Sequence, residues 1–238
     1  LFLKIFKKEF IFSKKEFMKV IITGSSGMVG KGVLIQCLLD DRIDKVLLPN
    51  RQPINIKNEK IKEIIFSDLH DLNKYEKEFI GYDACFHCIG ISVVGASKEY
   101  YKEVIYDITE RFVDLVYLGN KNSVFNFITG EGTDSSEKGP IMWARIKGKA
   151  ENYILNKGFK DSYMFRAGII IPEKGIKSRT KIYNFFYLLM RPLYPLLKIF
   201  PFITTTTKLG DAMINTLFRT YKKKILNNFL INKISKIT

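Results

Sequence analysis

The run Lys19-Val-Ile-Ile-Thr-Gly24-Ser-Ser-Gly27-Met-Val-Gly30 limits what this chain can fold into more than any other stretch. Residues 20–22 are apolar and read as a buried strand. Three glycines follow at a spacing of three, and residues 29–39 then carry apolar side chains at helical spacing. A strand, a glycine turn and a helix together set backbone N–H groups at a helix N-terminus against a phosphate. Gly24 permits the tight turn, Gly27 lets the backbone approach a ligand, and Gly30 lets helix and strand pack closely. Ser25 and Ser26 add hydroxyl donors, and Met28 and Val29 complete the candidate cradle. The competing reading is a glycine turn that serves the fold alone.

Short β-rich runs alternate with helical patterns along the rest of the chain. Strands are expected at 20–22, 45–48, 61–66, 84–88, 124–128 and 162–165. Helices are expected at Met28–Leu39, 73–79, 98–118 and 141–155. The pattern implies βαβ units with right-handed crossovers, hence an α/β fold of Rossmann type: a doubly wound parallel sheet with a small, mostly helical C-terminal region. With 238 residues, 46% of them hydrophobic, the chain suffices for one domain with a full core. Residues 18–238 are expected to form it, with 173–238 supplying a substrate-side cap. Residues 1–17 alternate bulky apolar groups with lysines. They read as an upstream extension before Met18, or as a basic amphipathic anchor.

The net charge of +15 would suit a nucleic acid or an anionic membrane. No arginine-rich stretch, helix-turn-helix signal or zinc-finger spacing accompanies it, so no nucleic-acid partner is expected. An anionic cofactor would gain from the same field. Residues 182–202 are dense in aromatics and leucine but interrupted by prolines and charges, which argues against a membrane span. They read as packing against the sheet, as the apolar wall of a substrate pocket, or as a peripheral membrane contact. A homodimer also stays open. Cys37, Cys85 and Cys88 are too few for a disulfide framework and suit a cytoplasmic protein. Cys85 and Cys88 lack the further ligands a metal site needs, and no metal is expected.

Ligands bind at the carboxyl edge of an open α/β sheet. After the second strand stand Asn50 and Arg51, where NAD sites usually place an acid for the ribose 2′-OH. An arginine suits a 2′-phosphate, and no acid is read there to repel it, so NADP is favoured over NAD. Asp68, with Leu69 beside it, reads either as a cap for the adenine amino group or as a helix N-cap. Cys88, Ile89 and Gly90 end the fourth strand and should line the crevice.

Several segments recur in order: 23–30, Asn50-Arg51, Gly81-Tyr82-Asp83-Ala84, Lys147-Gly148-Lys149-Ala150-Glu151 and the stretch from Arg166 to Pro172. On these the chain, from about Met18 onward, resembles the short-chain dehydrogenase/reductase family. More narrowly it resembles the atypical, epimerase-like branch with the Tat-interacting-protein-like oxidoreductases. The resemblance implies a Tyr-x-x-x-Lys pair, in which tyrosine moves a proton while lysine lowers its pKa and holds the nicotinamide ribose. Lys147 matches the lysine, but Trp143 stands where tyrosine is expected. An indole N–H donates a hydrogen bond and is not ionised near neutral pH. Thr129 is the best substitute for the family's serine. The resemblance sets Ala167, Gly168 and Ile169 beside the nicotinamide. Tyr100, Tyr101 and Glu131 are further ionisable groups for a proton transfer. The expected function is an NADP(H)-dependent oxidoreductase acting on an apolar small molecule. The alternative is an NADP-binding regulatory or sensor protein with little turnover.

Overall fold

The computed structural model describes residues 17–176, 192 and 194–237. The segment 1–16 and most of the aromatic-rich stretch (182–191 and 193) lie outside the described residues. Strand β1 (Met18–Thr23) leads through the glycine turn into helix α1 (Met28–Leu39). Strands β2 (Ile43–Asn50) and β3 (Ile61–Ile65) follow, then a 3-10 stretch (Leu69–Phe79) and β4 (Ala84–His87). Helix α2 (Lys98–Lys102) continues through a π turn (Glu103–Asp107) into α3 (Ile108–Gly119). The chain then forms β5 (Val124–Gly130), α4 (Met142–Leu155), β6 (Asp161–Ala167) and the short β7 (Ile169–Ile171). It ends in α5 (Tyr194–Leu197), β8 (Ile203–Thr205), α6 (Thr206–Phe218), β9 (Ile225–Asn227) and α7 (Asn228–Ile234).

Seven strands form one sheet in the order β3-β2-β1-β4-β5-β6-β9, with every neighbouring pair parallel. This is a doubly wound, Rossmann-type arrangement. The order reverses beside β1, so the crevice between the ends of β1 and β4 is where such sheets take ligands. The central strands are apolar at successive positions because both faces are covered. Val20, Ile22, Leu48, Phe86 and Phe165 pack in one core with Val33 and Leu34 of α1 and Met213 of α6. Ile21, Leu47, Cys85, Phe125 and Met164 pack in the other with Phe112 and Val116 of α3.

Strand β5 does not break at Thr129-Gly130 as the sequence suggests. It stays paired through Thr129↔Arg166 and Gly130↔Ala167, carrying both residues to the sheet edge. The C-terminal segment also does more than the pattern implied. Leu226 of β9 enters the sheet beside Phe165, and α6 covers one face beside α1. Lys222-Lys223-Lys224 lies in the turn that links α6 to β9, with Lys222 and Lys223 exposed, as the sequence suggests. No helix among the described residues is long and apolar enough to cross a membrane.

Candidate functional site

The turn after β1 is built around its glycines. Gly24 sits at φ +68°, a conformation that favours glycine, and a Cβ there would come 2.8 Å from the Cys88 carbonyl. A Cβ on Gly30 would come 2.2 Å from the Gly24 carbonyl oxygen, so helix and turn meet only because position 30 has no side chain. The Gly27 N–H donates to Gly24 O at 2.9 Å and Lys31 N–H to Gly27 O at 2.9 Å. Gly27 is the N-cap of α1 and supplies no side-chain cap, and the first turn carries no acid. The amides of Met28, Val29 and Gly30 therefore remain at the positive end of a twelve-residue helix, an environment that favours an anion.

This turn opens onto a cleft of about 920 Å³. Its lining brings together Gly24, Ser25, Ser26, Gly27, Asn50, Arg51, Cys88, Ile89 and Gly90, as expected from their places at strand ends. At one end, buried Ser25 donates its hydroxyl to Asn50 Oδ1 at 2.8 Å, and Asn50 Nδ2 donates to Glu63 Oε1 at 2.6 Å. The Ile54 amide donates to the same Glu63 oxygen at 3.2 Å. An acid is therefore present behind Asn50, which corrects the sequence reading. It was missed because β3 brings it across from thirteen residues away, and two N–H donors engage one of its oxygens. Arg51 is exposed at the cleft and has no ion-pair partner among the described residues. Lys31, one helical turn beyond Gly27, lines the same cleft. That i, i+4 spacing was the available sequence signal for Lys31.

His87 forms the floor beneath the turn. It is fully buried between Thr23 and Thr109 and among the rings of Phe112, Phe125 and Phe127. Thr109 donates its hydroxyl to Ile105 O at 2.7 Å, so Thr109 Oγ1 accepts from His87 Nε2–H at 3.0 Å. Nδ1 is then the bare nitrogen, accepting from the Thr23 hydroxyl at 2.8 Å. Burial pushes the imidazole pKa down to about 3, and the ring is neutral. Cys37, Cys85 and Cys88 are free thiols whose pKa values burial raises. Among the described residues no three His, Cys, Asp or Glu side chains gather as a metal site would need.

Lys147, Trp143, Thr129 and Ala167 lie around β5, α4 and β6, outside the lining of this cleft. Lys147 is half-buried, with its ammonium lying over Gly130, where a Cβ would come within 3.3 Å of Nζ. Burial lowers its pKa, against a smaller upward pull from Glu151. Trp143, one turn earlier on α4, has its ring centroid 5.7 Å from Lys147 Nζ, within cation–π reach. Thr129 donates its hydroxyl to Glu151 Oε1 at 2.6 Å. Glu151 is fully buried and also accepts from Arg166 Nε at 3.1 Å on both oxygens. Thr129 thus belongs to a polar cluster that joins β5, α4 and β6. Ala167 is buried, Gly168 N–H donates to Asn228 Oδ1 at 3.2 Å, and Ile169 is exposed. Asp68 is exposed where the 3-10 stretch begins, and the side chain of Leu69 lies outside the described residues, whereas Phe66 and Ser67 reach the cleft. Of the alternative proton carriers, Tyr100 lines the cleft. Tyr101 is buried with its pKa pushed up to about 12 by desolvation, and Glu131 is exposed beside Gly168.

Comparison with known proteins agrees with this geometry. The model of the NAD dependent epimerase/dehydratase family matches residues 20–135, from β1 to just beyond β5. The chain is 26% identical over 165 residues to Protein HTATIP2 of Rattus norvegicus, covering 68% of this chain and 66% of that one. It is 28% identical over 156 residues to Protein FMP52-2, mitochondrial, of Scheffersomyces stipitis, covering 64% and 66%. The matches thus span about two thirds of the length of these curated relatives. The fold is similar to that of the Bordetella bronchiseptica enzyme WbmH, solved in complex with NAD+, with a TM-score of 0.64 at 14% identity, covering 86% of this chain and 73% of that one.

Proposed function

We propose, from its similarity to the NAD dependent epimerase/dehydratase family and to HTATIP2, that the chain is of the atypical, epimerase-like short-chain dehydrogenase/reductase kind, binds NADP(H) and acts as an oxidoreductase on an apolar small molecule. The observation that carries this reading is the uncapped first turn of α1, facing a cleft that also holds two cations, Arg51 and Lys31. The cleft has the volume of a small-molecule site. The cradle closed by Gly24 and Gly30 fits a pyrophosphate. In this account the first-turn amides bind the pyrophosphate, and Arg51 and Lys31 hold a 2′-phosphate. Glu63, engaged by Asn50 and Ile54, orders the loop that presents Arg51. The resemblance assigns the nicotinamide ribose to Lys147, whose ammonium lies over Gly130 at the end of β5, outside the cleft lining.

Bound NADPH would supply a hydride for a carbonyl carbon. The proton must come from another group, and Trp143 cannot give it, because an indole N–H is a donor only. Tyr100 is the phenol on the cleft wall that is available for this task. The three free thiols suit a reducing cytoplasm.

A second reading rests on Trp143: a regulatory protein that holds NADP as a ligand and turns over little or nothing. NADPH oxidation over a panel of apolar aldehydes and ketones separates the two. The enzyme reading expects turnover that survives Trp143→Phe and is lost in Lys147→Ala. Tight nucleotide binding without turnover on any member of the panel favours the regulatory protein.

A further inference from the structure

A second surface, away from the glycine turn, combines exposed apolar groups with a fixed backbone. Ile199 is 74% exposed, Phe202 54% and Leu196 58%, and the Phe200 and Phe202 rings stand 5.3 Å apart. Phe229 on α7 adds a further ring at 58% exposure. Large apolar groups gathered in this way are uncommon on a surface that meets only water.

The loop that carries them is pinned by two asparagines of α7. Asn228 Nδ2 donates to Phe202 O at 2.5 Å and to Ile169 O at 3.2 Å. Asn232 Nδ2 donates to Ile203 O at 2.8 Å and to Pro201 O at 3.4 Å. The fold therefore holds these side chains outward instead of allowing the loop to fold them away.

Cations stand beside this surface: Lys198 in the segment that leads into the loop, Lys208 on α6, and Lys233 and Lys236 on and just after α7. Lys233 follows Asn232 directly on α7, and Lys236 is exposed one turn further on. Lys208 lies close enough to Lys236 and Lys198 that both, after burial, hold its pKa down. Of the acids from outside residues 192–237, Glu173 is paired with Lys198 and Asp161 with Lys224, and Glu131 lies beside Gly168. A two-fold pairing of this surface with a second copy would set Lys233 and Lys236 near their own duplicates, and like charges oppose such an interface. An apolar tip flanked by the exposed Lys233 and Lys236 instead matches an anionic bilayer, where rings enter the interface and lysines meet headgroups.

We propose that the loop around Ile199, Phe200 and Phe202, together with Phe229, is a pre-formed docking surface for an anionic lipid membrane. This proposal is independent of nucleotide binding. The test is co-sedimentation of the full chain with phosphatidylcholine vesicles, with and without phosphatidylglycerol, at low and high salt. Binding is expected to the anionic vesicles alone and to fall as salt rises. Each lysine beside such a surface contributes about a fivefold gain in partition, so Lys233→Gln with Lys236→Gln should weaken binding about 25-fold. Ile199→Ser with Phe202→Ser should weaken it at least tenfold, with Phe229→Ser as a second, separate probe. An unchanged melting temperature and far-UV circular dichroism spectrum establish that these variants fold. Protein that stays in the supernatant at low salt overturns the proposal, as does wild-type binding by both apolar variants. A concentration-dependent dimer abolished by Ile199→Ser would also overturn it by assigning the surface to self-association.

Discussion

Replacing His87 with glutamine should flatten the acid side of the stability profile. The imidazole is fully buried, bonded through both nitrogens to Thr23 and Thr109, and enclosed by three phenylalanine rings. Its pKa falls from the ordinary 6.5 to about 3 because burial opposes the charged form. The sign follows from which state takes up the proton. Above pH 6.5 the ring is neutral in both folded and unfolded chains, and the native bonds contribute fully. As the pH falls below 6.5 the unfolded chain protonates His87 while the native one does not, and stability is lost until about pH 3. Between pH 7 and pH 5 this single group should remove about 1.9 kcal/mol. Urea unfolding of wild type and His87→Gln at both pH values measures the effect. The variant is less stable at pH 7 because its bonds to the threonines are altered. Its loss between pH 7 and pH 5 should nevertheless be smaller than the wild type's by about 2 kcal/mol. Equal losses in the two proteins would refute the reasoning and mean that the ring is charged, or reached by water, in the folded state.

Other perturbations follow from the same contacts. Gly30→Ala puts a methyl group 2.2 Å from the Gly24 carbonyl oxygen; it should destabilise the fold by about 1–3 kcal/mol and weaken NADPH binding at least tenfold by titration. Glu151→Ala leaves the Arg166 guanidinium without its buried carboxylate and should cost about 3 kcal/mol in urea unfolding. Arg51→Ala should weaken NADPH binding by about tenfold, one charge-assisted contact, and leave NADH binding nearly unchanged in parallel calorimetric titrations.

How much of this was visible beforehand depended on how local each signal was. The first strand, the glycine turn and α1 (Met28–Leu39) were legible because every cue lies within one short stretch. Apolar run, glycine spacing and helical period there all agree. The short strands β7, β8 and β9 were not read, since each has three residues and owes its existence to pairing with a distant partner. Leu226 is a sheet residue because Phe165 lies beside it, and no local pattern shows that. The same holds for the site. Gly24, Gly27 and Arg51 announce themselves by position after a strand. Glu63 comes to Asn50 only through the pairing of β2 with β3. Thr129 reads from sequence as the substitute for the family's serine just past a strand, and its engagement with Glu151 follows from the onward run of β5 beside α4.

The central claim is that the glycine turn and its flanking cations form an NADP site. Isothermal titration of the purified chain with NADPH and with NADH tests it most directly. The account predicts one molecule of NADPH bound per chain, at least tenfold more tightly than NADH, with the difference shrinking as salt screens Arg51 and Lys31. Equal affinity for the two nucleotides, tighter binding of NADH, or no binding of either would contradict it.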